Sequence, residues 1–147
     1  MRRSASLTLF LALLSVVTGY MLSKASWLGN VGISLFYQEY AFLKVWWQAA
    51  LVVFGILMLL YALQSLVQRR TSAGVARTVH IFALVAACAG LYLTYNDFRE
   101  TLTHRWMGER FHIGAYLFWV GWMVISIYLL MTRNNDRAFK RKVGVEI

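Results

Sequence analysis

The sequence predicts an all-α integral membrane protein, a four-transmembrane-helix bundle built from two antiparallel hairpins with both termini in the cytoplasm. The composition is the first indication: 60% of the 147 residues are hydrophobic and 14% are charged, whereas soluble domains average about 25% charged residues. The apolar residues also cluster in long runs, and none of these runs contains Asp, Glu, Lys or Arg. Such a chain has too little polar surface to face water, so lipid is its expected solvent.

Four apolar segments approach or reach the length that a bilayer requires, ~20 residues with a range of ~17 to 25. Helices are the expected conformation, because lipid offers no hydrogen-bond partners to the backbone. The second and fourth segments are amply long, whereas the first and third lie near the short limit. We expect one membrane domain, 1–147, with spans at about 6–23, 45–67, 78–96 and 111–132, outside loops at 24–44 and 97–110, and a basic cytoplasmic tail at 133–147.

The distribution of Lys and Arg predicts the orientation. Ten of them fall on the side of the two termini and the loop after the second span, and five fall on the other side. Positively charged loops stay in the cytoplasm, so both termini are predicted to be cytoplasmic. The membrane itself is predicted to be a cell inner membrane. An alternative is that the apolar N-terminus and Ser23-Lys24-Ala25 form a cleaved signal peptide, which would leave three spans.

Several protein classes are excluded by what the sequence lacks. The net charge of +9 does not form the basic stripe of a nucleic-acid-binding helix, so no nucleic-acid partner is expected. Cys88 is the only cysteine, which rules out a disulfide framework and a Cys-x-x-Cys redox centre. Four-span families that depend on such cysteines, namely tetraspanins, claudins and quinone-linked disulfide oxidases, are therefore excluded.

Small and aromatic residues in the spans predict helix packing. The third span carries Ala83, Ala86, Ala87, Gly90 and Thr94 mostly on one face, and small residues allow helix backbones to approach closely. Packing within the bundle is the favoured interpretation, and contact with another subunit is the alternative. Trp119 and Trp122 lie too deep for an interfacial belt. Filling the core is the favoured interpretation, and lining a binding cavity or facing a partner are the alternatives. Gln48 and Gln64, near opposite ends of the second span, are expected to bond across helices or to headgroups.

The three histidines do not predict a cofactor. His80 is placed at the cytoplasmic start of the third span, while His104 and His112 are at the other side of the bilayer, so a bis-histidine heme is not expected. Glu100, His104, Glu109 and His112 could supply zinc ligands, but their spacing matches no known zinc motif. We expect no metal, no cofactor and no catalytic residue, and the ionisable residues are all expected at the margins of the spans.

Two segments are the candidate contact sites. The outer loop and the fourth span are expected to contact a partner through Arg105, Trp106, Glu109, His112, Trp119 and Trp122. The tail is expected to attract anionic lipid headgroups, at ~1 kcal/mol per basic residue. Its basic residues are Arg137, Lys140, Arg141 and Lys142.

These features predict a non-enzymatic multi-pass inner-membrane protein, an accessory or scaffold subunit of a larger membrane complex. Its expected partners are the lipid bilayer, including anionic lipids, and other membrane subunits or further copies of itself. One alternative is an immunity-type protector against a pore-forming or envelope toxin. Another is a small transporter or membrane enzyme that uses residues 97–112.

Overall fold

The computed structural model of the chain describes residues 2–23, 45–100 and 109–143, with side chains for 5–23, 45–99 and 111–132. Its four helices are each long and apolar enough to cross a membrane, and they pack as a bundle. The prediction of an all-α, four-span membrane protein is confirmed. The helices are α1 (Arg2–Ser23), α2 (Trp46–Arg70), α3 (Ala73–Glu100) and α4 (Glu109–Val143).

The third helix is longer than its predicted span. It begins at Ala73 and continues to Glu100, so the first residues of the predicted loop 97–110 are helical, and Glu109 already belongs to α4. The difference arises because the span length was taken from the apolar run alone. Helical hydrogen bonds continue through polar residues wherever the backbone leaves the hydrocarbon layer.

Each hairpin is antiparallel, as close contacts between its two arms show. Gly19, near the end of α1, packs directly on Ala50, near the start of α2. Phe98, near the end of α3, stacks on His112, near the start of α4. The start of α1 and the end of α4 therefore lie at one end of the bundle together with Thr71 and Ser72, which connect α2 to α3. This end is called the turn end, and the opposite end is called the loop end.

The fourth helix joins the two hairpins. It packs extensively against α3 and α1 and also contacts α2, whereas α2 and α3 touch each other the least of these pairs. The short connection between α2 and α3 thus makes them antiparallel neighbours, as predicted, but with little shared surface. The main apolar core lies between α1, α2 and α4, where Leu11, Leu57 and Ile125 are fully buried.

Candidate functional site

A polar cluster lies where α2, α3 and α4 meet. It consists of Gln64, His80 and Ser126, all buried. Nδ1 of His80 is 3.1 Å from Oε1 of Gln64, and the Ser126 hydroxyl donates to the same oxygen at 3.2 Å. One amide oxygen thus connects three helices.

The positions of Gln64 and His80 along the chain explain why they meet. Each lies eight residues from Ser72 in the short connection between α2 and α3. At 1.5 Å of rise per residue, residues equally distant from the turn of an antiparallel helical pair lie at the same depth. Ser126 is at this depth because α4 runs in the same direction as α2, with Gly121 against Leu57 one to two turns earlier.

The hydrogen bonds define the roles of the three side chains. A carbonyl oxygen only accepts, so Nδ1 of His80 carries the hydrogen that it donates to Gln64. The Ser126 hydroxyl has the Gln64 oxygen and the Trp122 carbonyl oxygen as acceptors, each at 3.2 Å. Both His80 and Ser126 therefore face the amide, which is not the arrangement of a serine nucleophile hydrogen-bonded to a histidine base. The three side chains instead link α2, α3 and α4 to one another through hydrogen bonds.

Further polar atoms are buried on α2 and α4 near this cluster. Among the described residues, Ser65 Oγ, Gln68 Oε1 and Trp122 Nε1 are buried and have no hydrogen-bond partner. Gln68 follows Gln64 by one helical turn, towards the turn end. This part of the bundle is therefore more polar than the rest of its interior.

Trp119 makes a second polar contact between α3 and α4. Its indole Nε1 donates to Thr94 Oγ1 at 3.0 Å, and the Thr94 hydroxyl donates to the Gly90 carbonyl oxygen at 2.8 Å. The ring lies directly on Gly90, where a Cβ atom would be 2.7 Å from Trp119 Cε3. The small residues of α3 are thus used for packing within the bundle, which was the favoured interpretation of their spacing.

Aromatic side chains gather at the loop end of the α3–α4 hairpin. His112 stacks on Phe98 with ring centroids 4.3 Å apart, and Phe98 also contacts Phe111 and Tyr116. His112 is therefore at the level of Phe98, eighteen residues along α3 from His80, or ~27 Å. That separation is too large for the two histidines to bind one iron.

The structure places three of the predicted contact residues. His112 is half-buried beneath Phe98, Trp119 stacks on Trp122 with centroids 5.8 Å apart, and Trp122 packs against the main core. Arg105 and Trp106 lie outside the described residues, as does the side chain of Glu109. The tail residues Arg137, Lys140, Arg141 and Lys142 lie on the helical backbone of α4, and their side chains are outside the described part.

The zinc hypothesis is tested only for part of the chain. Among the described side chains, no group of three His, Cys, Asp or Glu residues is close enough to hold a metal ion. Glu100, His104 and Glu109, which the hypothesis needs, have no described side chains. The expectation that the chain binds no metal therefore stays a prediction.

The polar cluster is the feature that sequence reasoning missed. His80 was expected at the start of the third span, at the membrane margin, but α3 begins at Ala73 and His80 is fully buried two turns further on. The position of His80 at a membrane margin stays a prediction; the burial of its side chain between helices was not foreseen. The equal spacing of Gln64 and His80 from Ser72 was the available signal.

No protein-family model matches the chain, and neither does a curated protein or a solved structure.

Proposed function

We propose that this protein is a non-enzymatic accessory or scaffold subunit of a larger membrane complex, held to a partner through packing of α2. The environment of Gly55 is the observation that supports this proposal. Comparison with the other glycines of the spans shows how the surroundings of Gly55 differ.

Four span glycines mark places where helices cross closely. A Cβ atom at Gly19 would lie 2.7 Å from Cβ of Ala50, and one at Gly114 would lie 2.9 Å from Leu22. Gly121 and Gly90 are covered in the same way by neighbouring side chains. Glycine destabilises a helix interior by about 1 kcal/mol relative to alanine, and at these four positions close packing offsets that cost.

Gly55 differs from these four because it has no neighbour. A Cβ atom there would meet nothing within 4 Å. It belongs to a row of exposed residues at alternating spacings of three and four, the spacing of a helix-packing seam. We call this row the α2 stripe; its residues are Val52, Gly55, Leu59, Ala62 and Leu66.

A partner helix on the α2 stripe would account for Gly55. Helix association in lipid depends on close packing at small residues, and Gly55 and Ala62 provide two small residues one heptad apart. The partner is proposed to be a transmembrane helix of another protein, because a symmetric pair of α2 helices would bring Arg69 and Arg70 of both copies together. Both arginines are exposed at the turn end of this helix.

Site-specific photo-crosslinking tests the proposal. A photoreactive amino acid is placed at Leu59 on the stripe, or at Leu93 on α3 as a matched control; these leucines are 59% and 65% exposed. In native membranes, position 59 should give a discrete protein adduct and position 93 should give only lipid adducts. Gly55→Leu should reduce the adduct from position 59 at least several-fold, whereas Ala89→Leu, which places a leucine at an exposed small residue of α3, should not.

Two outcomes would contradict the proposal. One is an adduct from position 59 that Gly55→Leu leaves unchanged, or the absence of any protein adduct there. The other is an adduct of twice the chain mass of 16.9 kDa, which would identify a second copy of the chain in place of another subunit.

A further inference from the structure

We infer that the groove between α3 and α4 holds one acyl chain of an anionic phospholipid, whose phosphate binds at Arg99. The inference does not rest on the proposed function, because the groove and the α2 stripe are on different helices. It assigns a lipid site at the loop end, opposite the basic tail.

The groove is apolar along its length and open to the side. Its volume is about 520 Å³, and it is lined by Cys88, Leu91, Tyr92 and Tyr95 of α3 and by Tyr116 and Val120 of α4. The α3 residues follow a spacing of three and four, so they lie on one face of the helix. A side chain or a lipid chain that enters the groove would therefore run parallel to α3.

Arg99 continues this face beyond the groove. It follows Tyr95 by one helical turn and donates a hydrogen bond from a guanidinium nitrogen to the Tyr95 hydroxyl at 3.3 Å. Its guanidinium carbon also lies 5.5 Å from the centre of the Tyr95 ring. The positive charge is thus held at the outer mouth of an apolar groove. Asp97 is two residues away, and residues at that spacing do not share a helix face.

The dimensions match one leaflet of a bilayer. From Cys88 to Arg99 is eleven residues, or ~16 Å along the helix, and half of a ~30 Å hydrocarbon core is ~15 Å. Arg99 lies in the last turn of α3, and Cys88 lies near the middle of that helix. An acyl chain in the groove would therefore extend from the headgroup level to the bilayer centre.

The charge at the mouth selects the headgroup. Arginine forms strong, often bidentate, hydrogen bonds with phosphate. A choline headgroup carries a positive charge that offsets the charge of the phosphate, whereas a glycerol headgroup carries none. A net-negative glycerol headgroup is therefore preferred over a choline headgroup. The tyrosine hydroxyls of Tyr95 and Tyr116 provide polar groups beside the phosphate.

Lipid photo-labelling tests this site. The full chain is reconstituted in phosphatidylcholine vesicles that contain a small fraction of phosphatidylglycerol with a diazirine on one acyl chain, or of phosphatidylcholine with the same chain. Labelled peptides are mapped by mass spectrometry. The glycerol probe should label residues 88–95 and 116–120 about fivefold more than the choline probe, which is the factor that corresponds to ~1 kcal/mol for one basic residue near a membrane surface.

Variants separate this site from general lipid contact. Arg99→Gln should abolish the fivefold preference, Arg99→Lys should retain part of it, and Arg69→Gln, which removes an exposed charge at the turn end, should leave it unchanged. Val120→Trp should fill the groove and lower labelling by both probes. Equal labelling by the two probes, or a preference that survives Arg99→Gln, would overturn the assignment.

Discussion

The imidazole of His80 and the side-chain amide of Gln64 meet across the α2–α3 pair, with Nδ1 3.1 Å from Oε1. These two helices otherwise share little surface. The same amide oxygen accepts a hydrogen bond from Ser126 on α4. Gln64 therefore links α2 of the first hairpin to both helices of the second through one buried amide oxygen.

Replacement of Gln64 by leucine should lower the free energy of unfolding by ~1 to 3 kcal/mol, because His80 and Ser126 would lose their common acceptor. The measurement is reversible unfolding in mixed micelles. A double-mutant cycle of Gln64→Leu with His80→Leu should give a coupling energy of about 0.6 kcal/mol and at most ~1.7 kcal/mol, the range measured for hydrogen bonds between membrane helices. Gln48→Leu is the control, since Gln48 is a half-buried glutamine on the same helix; equal effects at positions 48 and 64 would contradict the assigned role.

Two glycine-to-alanine substitutions should have opposite effects on stability. Gly90→Ala places a methyl group against the Trp119 ring and should destabilise the bundle by ~1 to 3 kcal/mol, as overpacking does. Gly55→Ala meets nothing within 4 Å and should stabilise the isolated protein by up to ~1 kcal/mol through helix propensity. Unfolding of both variants in one detergent tests the pair.

The cause of the Gly90 effect can be checked separately. If the collision with Trp119 is responsible, Gly90→Ala should cost less in a Trp119→Leu background than in the original chain. Additive effects of the two substitutions would show that the ring is not the source.

Alkaline phosphatase fusions should establish the orientation predicted from the charges. Ten of the fifteen Lys and Arg residues are on the side of the termini and the α2–α3 turn, and positively charged segments are retained in the cytoplasm. A fusion after residue 103 should be active, and one after Ser72 should be inactive. The reverse pattern would place the termini outside.

The sequence predicted the helices better than it predicted their contacts. The span of α4 was placed at 111–132, and the backbone is helical throughout that range, within the longer helix Glu109–Val143. The helix α3 likewise extends past its predicted span of 78–96, since Arg77 and Asp97 are polar but still helical. The pairing of Trp119 with Thr94 was not foreseen, although the small residues around Gly90 were recognised as a packing surface.

The cluster of Gln64, His80 and Ser126, which joins three helices, was missed for a specific reason. Gln64 was expected to bond either across helices or to headgroups, and His80 was assigned to the membrane margin. Their meeting depends on the length of the turn between them, because a connection of two residues keeps positions 64 and 80 at the same depth. Ser126 reaches them only through the packing of α4, which no local pattern indicates.

The sequence by itself determined that lipid is the solvent of this protein and how many helices in the described part of the chain can span a membrane. Both follow from the length of the apolar runs and from the absence of charged residues within them, since a lipid-exposed backbone must form its hydrogen bonds within each segment. Only the tertiary structure decided which helix faces meet. Gly90 and Gly55 both belong to rows of small and apolar residues at helical spacing, yet one lies beneath Trp119 and the other is exposed. Lipid tails and the interior of a helix bundle are equally apolar, so hydrophobicity does not distinguish a helix face that packs in the bundle from one that faces lipid. Close packing between side chains decides which face is buried.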